Sequence, residues 1–340
     1  MIKCKLNYLG SKFKLLDFIN RAINDFITID GAQCADIFAG TAIVSQFFAF
    51  NNAQKVISND LEYYSHIIAK NYLGNVEKIE YKDRLNELNE LKGEKGFIYN
   101  NYCSAGNRLY FSDKNGKKID AVRLKIQEWF DKNEIEENEY VFYLCSLLES
   151  ADKIANVASV YGAYLKKLKK TALKELVIEP SIPFFWQDFI YDSKQYSCEC
   201  YQKDANELIK NISGDILYLD PPYNSRQYGA NYHILNTIAE YKNFNPKGVT
   251  GLPQYNKSDY CYKDEVSKSL SELISDADFE WIFLSYNNQG ILSFKDIKEI
   301  FNSYGEYNYR YTHYKAYKAD NKRDYKDDKT CEYIHILKKK

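Results

Sequence analysis

The chain lacks the features that mark membrane-spanning and exported proteins. Its 340 residues contain no run of eighteen or more apolar residues, which a helix needs to span a bilayer. The opening stretch, 1–8, lacks the apolar segment of a secretory signal. The eight cysteines include no CxxC pair, so we expect reduced thiols rather than disulfides. These absences predict a cytoplasmic protein.

Motifs for metal and nucleotide chemistry are also missing. No histidine pairs with a cysteine or glutamate at metal-ligand spacing, and the four are dispersed: His66, His233, His313 and His335. The closest cysteines, Cys198 and Cys200, alternate along a predicted strand without metal-ligand spacing. There is no P-loop string and no GxSxG elbow. We therefore expect no metal and no nucleophilic serine.

An excess of positive charge is absent as well. Lysine and arginine number 46 against 47 acidic residues, for a net charge of −1. The whole molecule is therefore no general polyanion binder, and any nucleic-acid contact must come from a local patch. The 32 tyrosines suit base stacking, but aromatics also fill cores, so their number decides little.

The order of apolar segments predicts an α/β fold. The first half alternates strand and helix: strand 33–38, turn 39–41, helix 43–50, strand 55–58 and helix 61–72. The same rhythm resumes after residue 195, with strands at 196–202, 215–219, 281–285, 307–314 and 332–337. Helical patterns at 205–210, 232–241 and 294–301 separate them. This alternation is typical of a doubly wound sheet.

The middle of the chain has a different pattern. Residues 81–195 contain predicted helices at 81–95, 119–130 and 140–158, with an aromatic, Asn-rich stretch at 97–111. The simplest organisation is one discontinuous domain, 1–80 and 196–340, interrupted by a mostly helical insert, 81–195. A tandem of two domains is disfavoured because the last strands have no complete sheet of their own.

The most informative string is Leu217-Tyr218-Leu219-Asp220-Pro221-Pro222-Tyr223. An apolar strand here delivers a carboxylate, two prolines and an aromatic ring to its carboxyl end, where open α/β sheets bind ligands. The prolines donate no backbone hydrogen bond, so nearby carbonyls stay free as acceptors. A carboxylate and a carbonyl can accept both hydrogens of an –NH2 group while Tyr223 stacks on its ring. The string predicts a site for a planar ring with an exocyclic amine.

This string resembles the catalytic motif of N6-adenine DNA methyltransferases. The resemblance implies a Rossmann-like class I methyltransferase sheet that uses S-adenosyl-L-methionine (AdoMet) and flips adenine out of duplex DNA. It assigns catalysis to Asp220, Pro221, Pro222 and Tyr223. It also implies that the insert recognises the target, since family members place that region between the cofactor and catalytic motifs.

Further segments resemble the family's cofactor motifs and occur in the family's order. Asp36 to Ala42 resembles the AdoMet loop, in which Gly40 would allow close backbone approach. Asp60 is placed to accept the ribose hydroxyls, although a helix N-cap explains it equally well. The cofactor residues that the resemblance implies are Tyr8, Lys12, Asp36, Phe38, Gly40, Asp60, Asp204 and Asp220.

DNA contacts are expected from basic and amide side chains of the insert and the carboxyl-terminal half. The polar segment 107–118 is interpreted as a loop that reads bases or phosphates, or else as an exposed turn around Asn115 and Gly116. The predicted contacts are Asn107, Arg108, Lys117, Lys118, Arg226, Lys318 and Arg323.

Two alternatives to a DNA methyltransferase remain open from the sequence. One is an AdoMet enzyme that acts on RNA or on a protein amide, against which the acidic first residue of the catalytic string argues. The other is a non-catalytic DNA-binding subunit that keeps the same fold. The expected partner is double-stranded DNA. The resemblance leaves two contexts open: the chain is the modification half of a pair with a cognate restriction endonuclease encoded nearby, or it acts alone in housekeeping.

Overall fold

A sheet of seven strands forms the centre of the protein. The computed structural model describes residues 6, 8, 10–75, 78–183, 197–315 and 329–340. The strands are β1 (Gln33–Asp36), β2 (Lys55–Asn59), β3 (Ser197–Tyr201), β4 (Ser213–Leu219), β5 (Asp278–Asn287), β6 (Gly305–Lys315) and β7 (Lys329–Lys339). Their order across the sheet is β3-β2-β1-β4-β5-β7-β6.

The strand directions follow from the connections. Strands β1 to β5 pair in parallel, whereas β7 pairs antiparallel with both β5 and β6. Strand order reverses between β1 and β4, which are neighbours in the sheet although well over a hundred residues separate them. In doubly wound sheets, ligands bind at such a switch point, outside the carboxyl ends of the strands. The predicted doubly wound α/β fold is confirmed.

Twelve α-helices are found in the described residues. They are α1 (Leu16–Asn24), α2 (Ile43–Phe50), α3 (Tyr63–Ala69), α4 (Lys82–Glu90), α5 (Phe97–Tyr102), α6 (Asp113–Asp131), α7 (Glu137–Ile154), α8 (Ala205–Leu208), α9 (Tyr228–Asn231), α10 (His233–Glu240), α11 (Val266–Asp276) and α12 (Phe294–Asn302).

Strand β4 shows how the sheet separates two cores. Successive side chains of a strand point to opposite faces. Ile216 and Tyr218 therefore pack into the core that also contains α2 and α10, while Leu217 and Leu219 pack against α11 and α12. All four are buried, which accounts for the continuous apolar run of this central strand.

The described part of the insert shares its hydrophobic core with the first of these faces. Trp129 of α6 and Leu144 of α7 belong to the same buried cluster as Phe48 of α2 and Ile234 of α10. The guanidinium of Arg123 in α6 donates to the backbone oxygens of Ile238 and Ala239 in α10, at 3.1 Å for each of its closest contacts. The helices between β2 and β3 thus form a layer packed against the sheet.

The structure corrects the expectation that segment 107–118 is a polar loop. Helix α6 begins at Asp113, and the Ser112 hydroxyl caps it by accepting from the Asn115 amide at 3.3 Å. Asn115 and Gly116 are buried inside this helix, so they form no exposed turn. A Cβ at Gly116 would stand 2.1 Å from the Sγ of Cys103, so glycine lets α6 pack closely there.

Some features are absent from the part of the chain that the structure describes. No helix there is both long and apolar enough to cross a bilayer. No group of three or more histidine, cysteine, aspartate or glutamate side chains is arranged to hold a metal within those ranges. The seven cysteines among them are free thiols.

We expect Arg123→Leu to lower the free energy of unfolding by about 2–4 kcal/mol, because it leaves buried carbonyls of α10 without a donor. Urea unfolding measures the change. The matched control is Lys114→Leu on the same helix, whose side chain is 72% exposed, and it should stay within about 0.5 kcal/mol of wild type. Equal effects of the two substitutions would contradict the proposed tie between insert and sheet.

Candidate active site

One pocket at the carboxyl ends of β1, β2 and β4 collects the predicted cofactor residues. Its lining includes all of them: Tyr8, Lys12, Asp36, Phe38, Gly40, Asp60, Asp204 and Asp220. Pro222 and Tyr223 of the predicted catalytic string line the same pocket, while Pro221 is buried next to it. The glycine turn and the acidic corner are therefore parts of one site.

The turn after β1 depends on glycine. Gly40 has a φ of +53°, a left-handed conformation that side chains disfavour. A Cβ at this position would lie 2.9 Å from the hydroxyl oxygen of Tyr8, whose ring covers the turn. Ala42, just before α2, is also left-handed, with a φ of +54°. The backbone of this turn and the Tyr8 ring can therefore approach each other closely only because residue 40 has no side chain.

Asp60 organises the glycine turn from the neighbouring strand. Its Oδ2 accepts from the Gly40 amide at 2.7 Å, and its Oδ1 accepts from the Glu62 amide at 2.9 Å. Burial raises the pKa of Asp60, while these amides oppose the rise. The carboxylate lies where the prediction placed it, at the end of β2 and inside the pocket.

Asn59 holds three strand ends together and was missed by the sequence interpretation. Its side-chain amide donates to the Ile37 and Lys203 carbonyls, both at 3.1 Å, and its oxygen accepts from the Lys203 amide at 3.0 Å. An asparagine directly before Asp60 was the available signal. The bridge positions Asp204 beside the ends of β1 and β2.

Asp36 has a different environment from the other acids. It is buried, and its Oδ2 accepts from the amide and hydroxyl of Ser45 at 3.0 and 2.8 Å. Burial raises the pKa of Asp36 to about 7, against the lowering effect of Ser45. These bonds tie β1 to α2.

An aromatic and amide edge closes the far end of the pocket. Asp204 caps α8, accepting from the Asn206 amide at 2.9 Å. Phe38 meets Tyr260 edge to face with ring centroids 5.0 Å apart, and the Tyr260 hydroxyl donates to Asn206 at 2.9 Å. The two rings bound an apolar slot next to a carboxylate, as a flat heterocycle with an amine requires.

The acidic corner follows β4. Tyr223 packs edge to face with Tyr286, at a centroid distance of 6.4 Å, and its carbonyl accepts from the Ile291 amide at 3.0 Å. On the other side, Tyr8 stacks on Tyr232 at 4.7 Å, with Tyr228 against both rings. The corner therefore opens between aromatic walls.

A buried ion pair determines the protonation state of Asp220. The Lys12 ammonium lies 2.8 Å from Asp220 Oδ1, and the two side chains are 7% and 19% exposed. Burial raises the pKa of Asp220 to about 6, and Lys12 limits the rise. Burial alone would lower the pKa of Lys12, but the charges of Asp220 and Glu332 raise it well above its usual value. At neutral pH both groups are charged.

Glu332 joins this pair from β7 and was not singled out in the sequence. Its Oε1 lies 3.6 Å from the Lys12 ammonium and accepts from the Ser285 hydroxyl at 2.7 Å. The only carboxylate of β7, directly before Tyr333 and Ile334, was the signal that could have found it. The corner thus contains one cation between two carboxylates.

The predicted DNA contacts are distributed unevenly. Asn107 and Arg226 are exposed, and Lys117 lies over the Tyr99 ring. Arg108 instead donates to backbone oxygens, among them that of Gly248 at 3.1 Å. The Lys118 ammonium is buried and donates to the Asn89 and Leu91 carbonyls, which does not favour its predicted contact with DNA. Lys318 and Arg323 lie outside the described residues.

Comparison with known proteins agrees with this site. The family described as D12 class N6 adenine-specific DNA methyltransferase matches residues 8–300. The chain is 49% identical to the Type II methyltransferase M.NlaIII of Neisseria lactamica, over 98% of this chain and 99% of that protein.

More distant relatives agree with this match. Type II methyltransferase M.CviAII of Paramecium bursaria Chlorella virus 1 is 38% identical, over 93% of each chain. Type II methyltransferase M.FokI of Planomicrobium okeanokoites is 35% identical, over 98% of this chain but 53% of that protein. On these matches, the chain belongs to the D12 class of N6 adenine-specific DNA methyltransferases.

Proposed function

We propose that the pocket binds AdoMet and that Asp220 presents the amino group of an adenine, flipped out of duplex DNA, for methylation at N6. The observation that carries this assignment is the presence of Asp220 and the Gly40 turn in one pocket. A methyl donor and an acceptor amine must lie within contact distance for direct transfer. These two features are therefore needed side by side.

The residues of the pocket fit AdoMet by their chemistry. A Cβ at residue 40 would meet the Tyr8 ring, so the cradle formed by the turn and Tyr8 exists only with glycine at this position. Asp60 is an acceptor suited to ribose hydroxyls, Asp204 an acceptor suited to an adenine amine, and Phe38 an aromatic edge for its ring. When bound, AdoMet would supply an electrophilic methyl group on its sulfonium.

The acidic corner would orient the nucleophile. The N6 lone pair of adenine is delocalised into the ring, so the amine is a weak nucleophile. Oδ2 of Asp220 and the Pro221 carbonyl would accept its two hydrogens and direct the lone pair out of the ring plane. Tyr223 would stack on the extruded base, which cannot be reached inside the duplex. A new N–C bond would form as the S–C bond breaks, the electron pair of that bond would stay on sulfur, and the proton that N6 loses would pass through the Asp220 carboxylate to water.

Family membership favours this reaction over the two alternatives. A D12 class match over residues 8–300 argues against an RNA or amide methyltransferase, and the complete string from Asp220 to Tyr223 argues against a non-catalytic subunit. The Asp220 carboxylate, already positioned next to Lys12 as an acceptor, gives a catalytic role a physical basis.

The proposal also covers target recognition and the partner endonuclease. We assign recognition to the insert, 81–195, with Asn107, Lys117 and Arg226 as contacts to the duplex; Lys318 and Arg323 remain predictions. The protein would act as the modification half of a restriction-modification system in the cytoplasm, with a cognate endonuclease as its partner. The names of the relatives, Type II methyltransferases, support this context.

We expect Asp220→Asn to reduce the rate of adenine methylation by at least about 1,000-fold, because it replaces a charged acceptor with a donor beside the amine. Mass spectrometry of digested duplex DNA measures N6-methyladenine. Asp259→Asn, at an exposed position, is the matched control and should keep the wild-type rate. Methylation of RNA or protein but not duplex DNA by the wild type would refute the proposed substrate.

Gly40→Ala should weaken AdoMet binding about tenfold or more, since the new methyl group meets Tyr8 and strains a left-handed residue. Calorimetric titration measures the affinity. Gly31→Ala is matched in backbone strain, with a φ of +77°, but has no atom within 4 Å of the added Cβ. It should lower stability and leave the affinity unchanged. If both variants bind AdoMet like the wild type, the cradle is misassigned.

A further inference from the structure

The buried acid Glu332 has no role in the proposed methyl transfer, although it lies in the same charged cluster as Asp220. Its side chain is 3% exposed, and its Oε1 is 3.6 Å from the Lys12 ammonium. In the register of the sheet it pairs with Asn287 of β5 and with Thr312 of β6. Glu332 is therefore held by an inner strand of the sheet, with neighbours on both sides.

We propose that Glu332 is a positioning residue for methyl transfer: it restrains the Lys12 ammonium so that Oδ1 of Asp220 is paired and Oδ2 is left for the amine of the target base. The inference rests on the proposed function and adds to it a residue that acts through Lys12 rather than on the substrate.

The geometry supports a shared ammonium. Lys12 is 2.8 Å from Asp220 Oδ1, 3.6 Å from Glu332 Oε1 and 3.3 Å from the Gly10 carbonyl. Asp220 and the Gly10 carbonyl lie within hydrogen-bond distance of the ammonium, and Glu332 lies within ion-pair distance on a third side. Ser285 anchors the far carboxylate through a 2.7 Å hydrogen bond. Lys12 is thus drawn toward β7 as well as toward Asp220.

Charge explains why this restraint matters. A buried ammonium with a single carboxylate partner would be drawn toward both of its oxygens, because Coulomb attraction is strong where water is excluded. Lys12 would then compete with the amine for Oδ2 of Asp220. A second carboxylate, fixed on the opposite side, divides that attraction. Glu332 therefore leaves Asp220 paired with Lys12 through only one of its oxygens.

The same arrangement sets the proton affinity of Asp220. Burial raises its pKa to about 6, Lys12 lowers it and Glu332 raises it. The other titratable groups that face Asp220 are Asp36 on β1, Tyr218 on β4, and Tyr223 and Tyr228 beyond it. Burial raises the pKa of each tyrosine, so these three stay neutral. Asp36 is present in the wild type and in every variant compared below, so it does not contribute to the differences between their acid limbs.

The test is the single-turnover methylation rate of the full chain with duplex DNA and saturating AdoMet, measured from pH 5 to pH 9. For the wild type, the rate should fall as the pH drops through about 6, because Asp220 becomes protonated. Glu332→Gln keeps an acceptor for Ser285 and removes the charge. It should lower the rate above pH 7 by about 10- to 100-fold. Its acid limb should move to lower pH, because a group that raises the pKa of Asp220 is gone.

Two readouts separate positioning from a structural effect. The dissociation constant of AdoMet for Glu332→Gln should stay within about threefold of wild type, since only the chemical step is affected. Glu306→Gln makes the same substitution at an exposed position of the neighbouring strand β6 and should leave both rate and acid limb unchanged. A Glu332→Gln protein that behaves like Glu306→Gln overturns the inference. So does one that keeps its fold but loses AdoMet binding.

Ser285→Ala decides the matter if Glu332→Gln does not fold. It keeps every charge and removes only the anchor of Glu332, so the rate should fall about 3- to 10-fold with the acid limb in place. A wild-type rate for Ser285→Ala would overturn the inference. A wild-type protein that leaves adenine in DNA unmethylated would instead refute the proposed function itself.

Discussion

A carboxylate that is sheltered from water stays ionised only when a cation or hydrogen-bond donors replace the lost hydration, and Lys12 does this for Asp220. Burial raises the pKa of Asp220 to about 6, low enough for it to remain charged at neutral pH. An ionised acceptor is what an amine needs at the moment of attack. The reaction proposed for this protein is available only while that pair holds.

The rest of the fold places this pair in the pocket that we propose for AdoMet. The reversal of strand order between β1 and β4 brings two distant parts of the chain together at one edge of the sheet. Asn59 and Asp60 then bind the turn after β1, so the glycine cradle is held by the next strand. The helices α4 to α7, to which we assign target recognition, pack against the same core.

Much of this arrangement was predictable because it depends on local strings. The run from Leu217 to Tyr223 predicted the acidic corner, and the alternation of strand and helix predicted the doubly wound sheet. The helices α1 and α11 were missed although their apolar residues recur at helical spacing, Leu16, Ile19 and Ile23 in α1 and Val266, Leu270 and Leu273 in α11. The burial of Lys118 depends on where two distant carbonyls fall. Glu332 reaches Lys12 only through the antiparallel register of β5 and β7, which no local pattern specifies.

The most direct measurement of the central claim is a crystal structure of the protein with duplex DNA and a non-reactive AdoMet analogue. We expect an adenine rotated out of the helix, with its N6 about 3 Å from Asp220 Oδ2 and from the Pro221 carbonyl. Lys12 should remain on Oδ1, and the analogue should lie over the Gly40 turn. An adenine still stacked in the duplex, or held by its amine away from Asp220, would contradict the account.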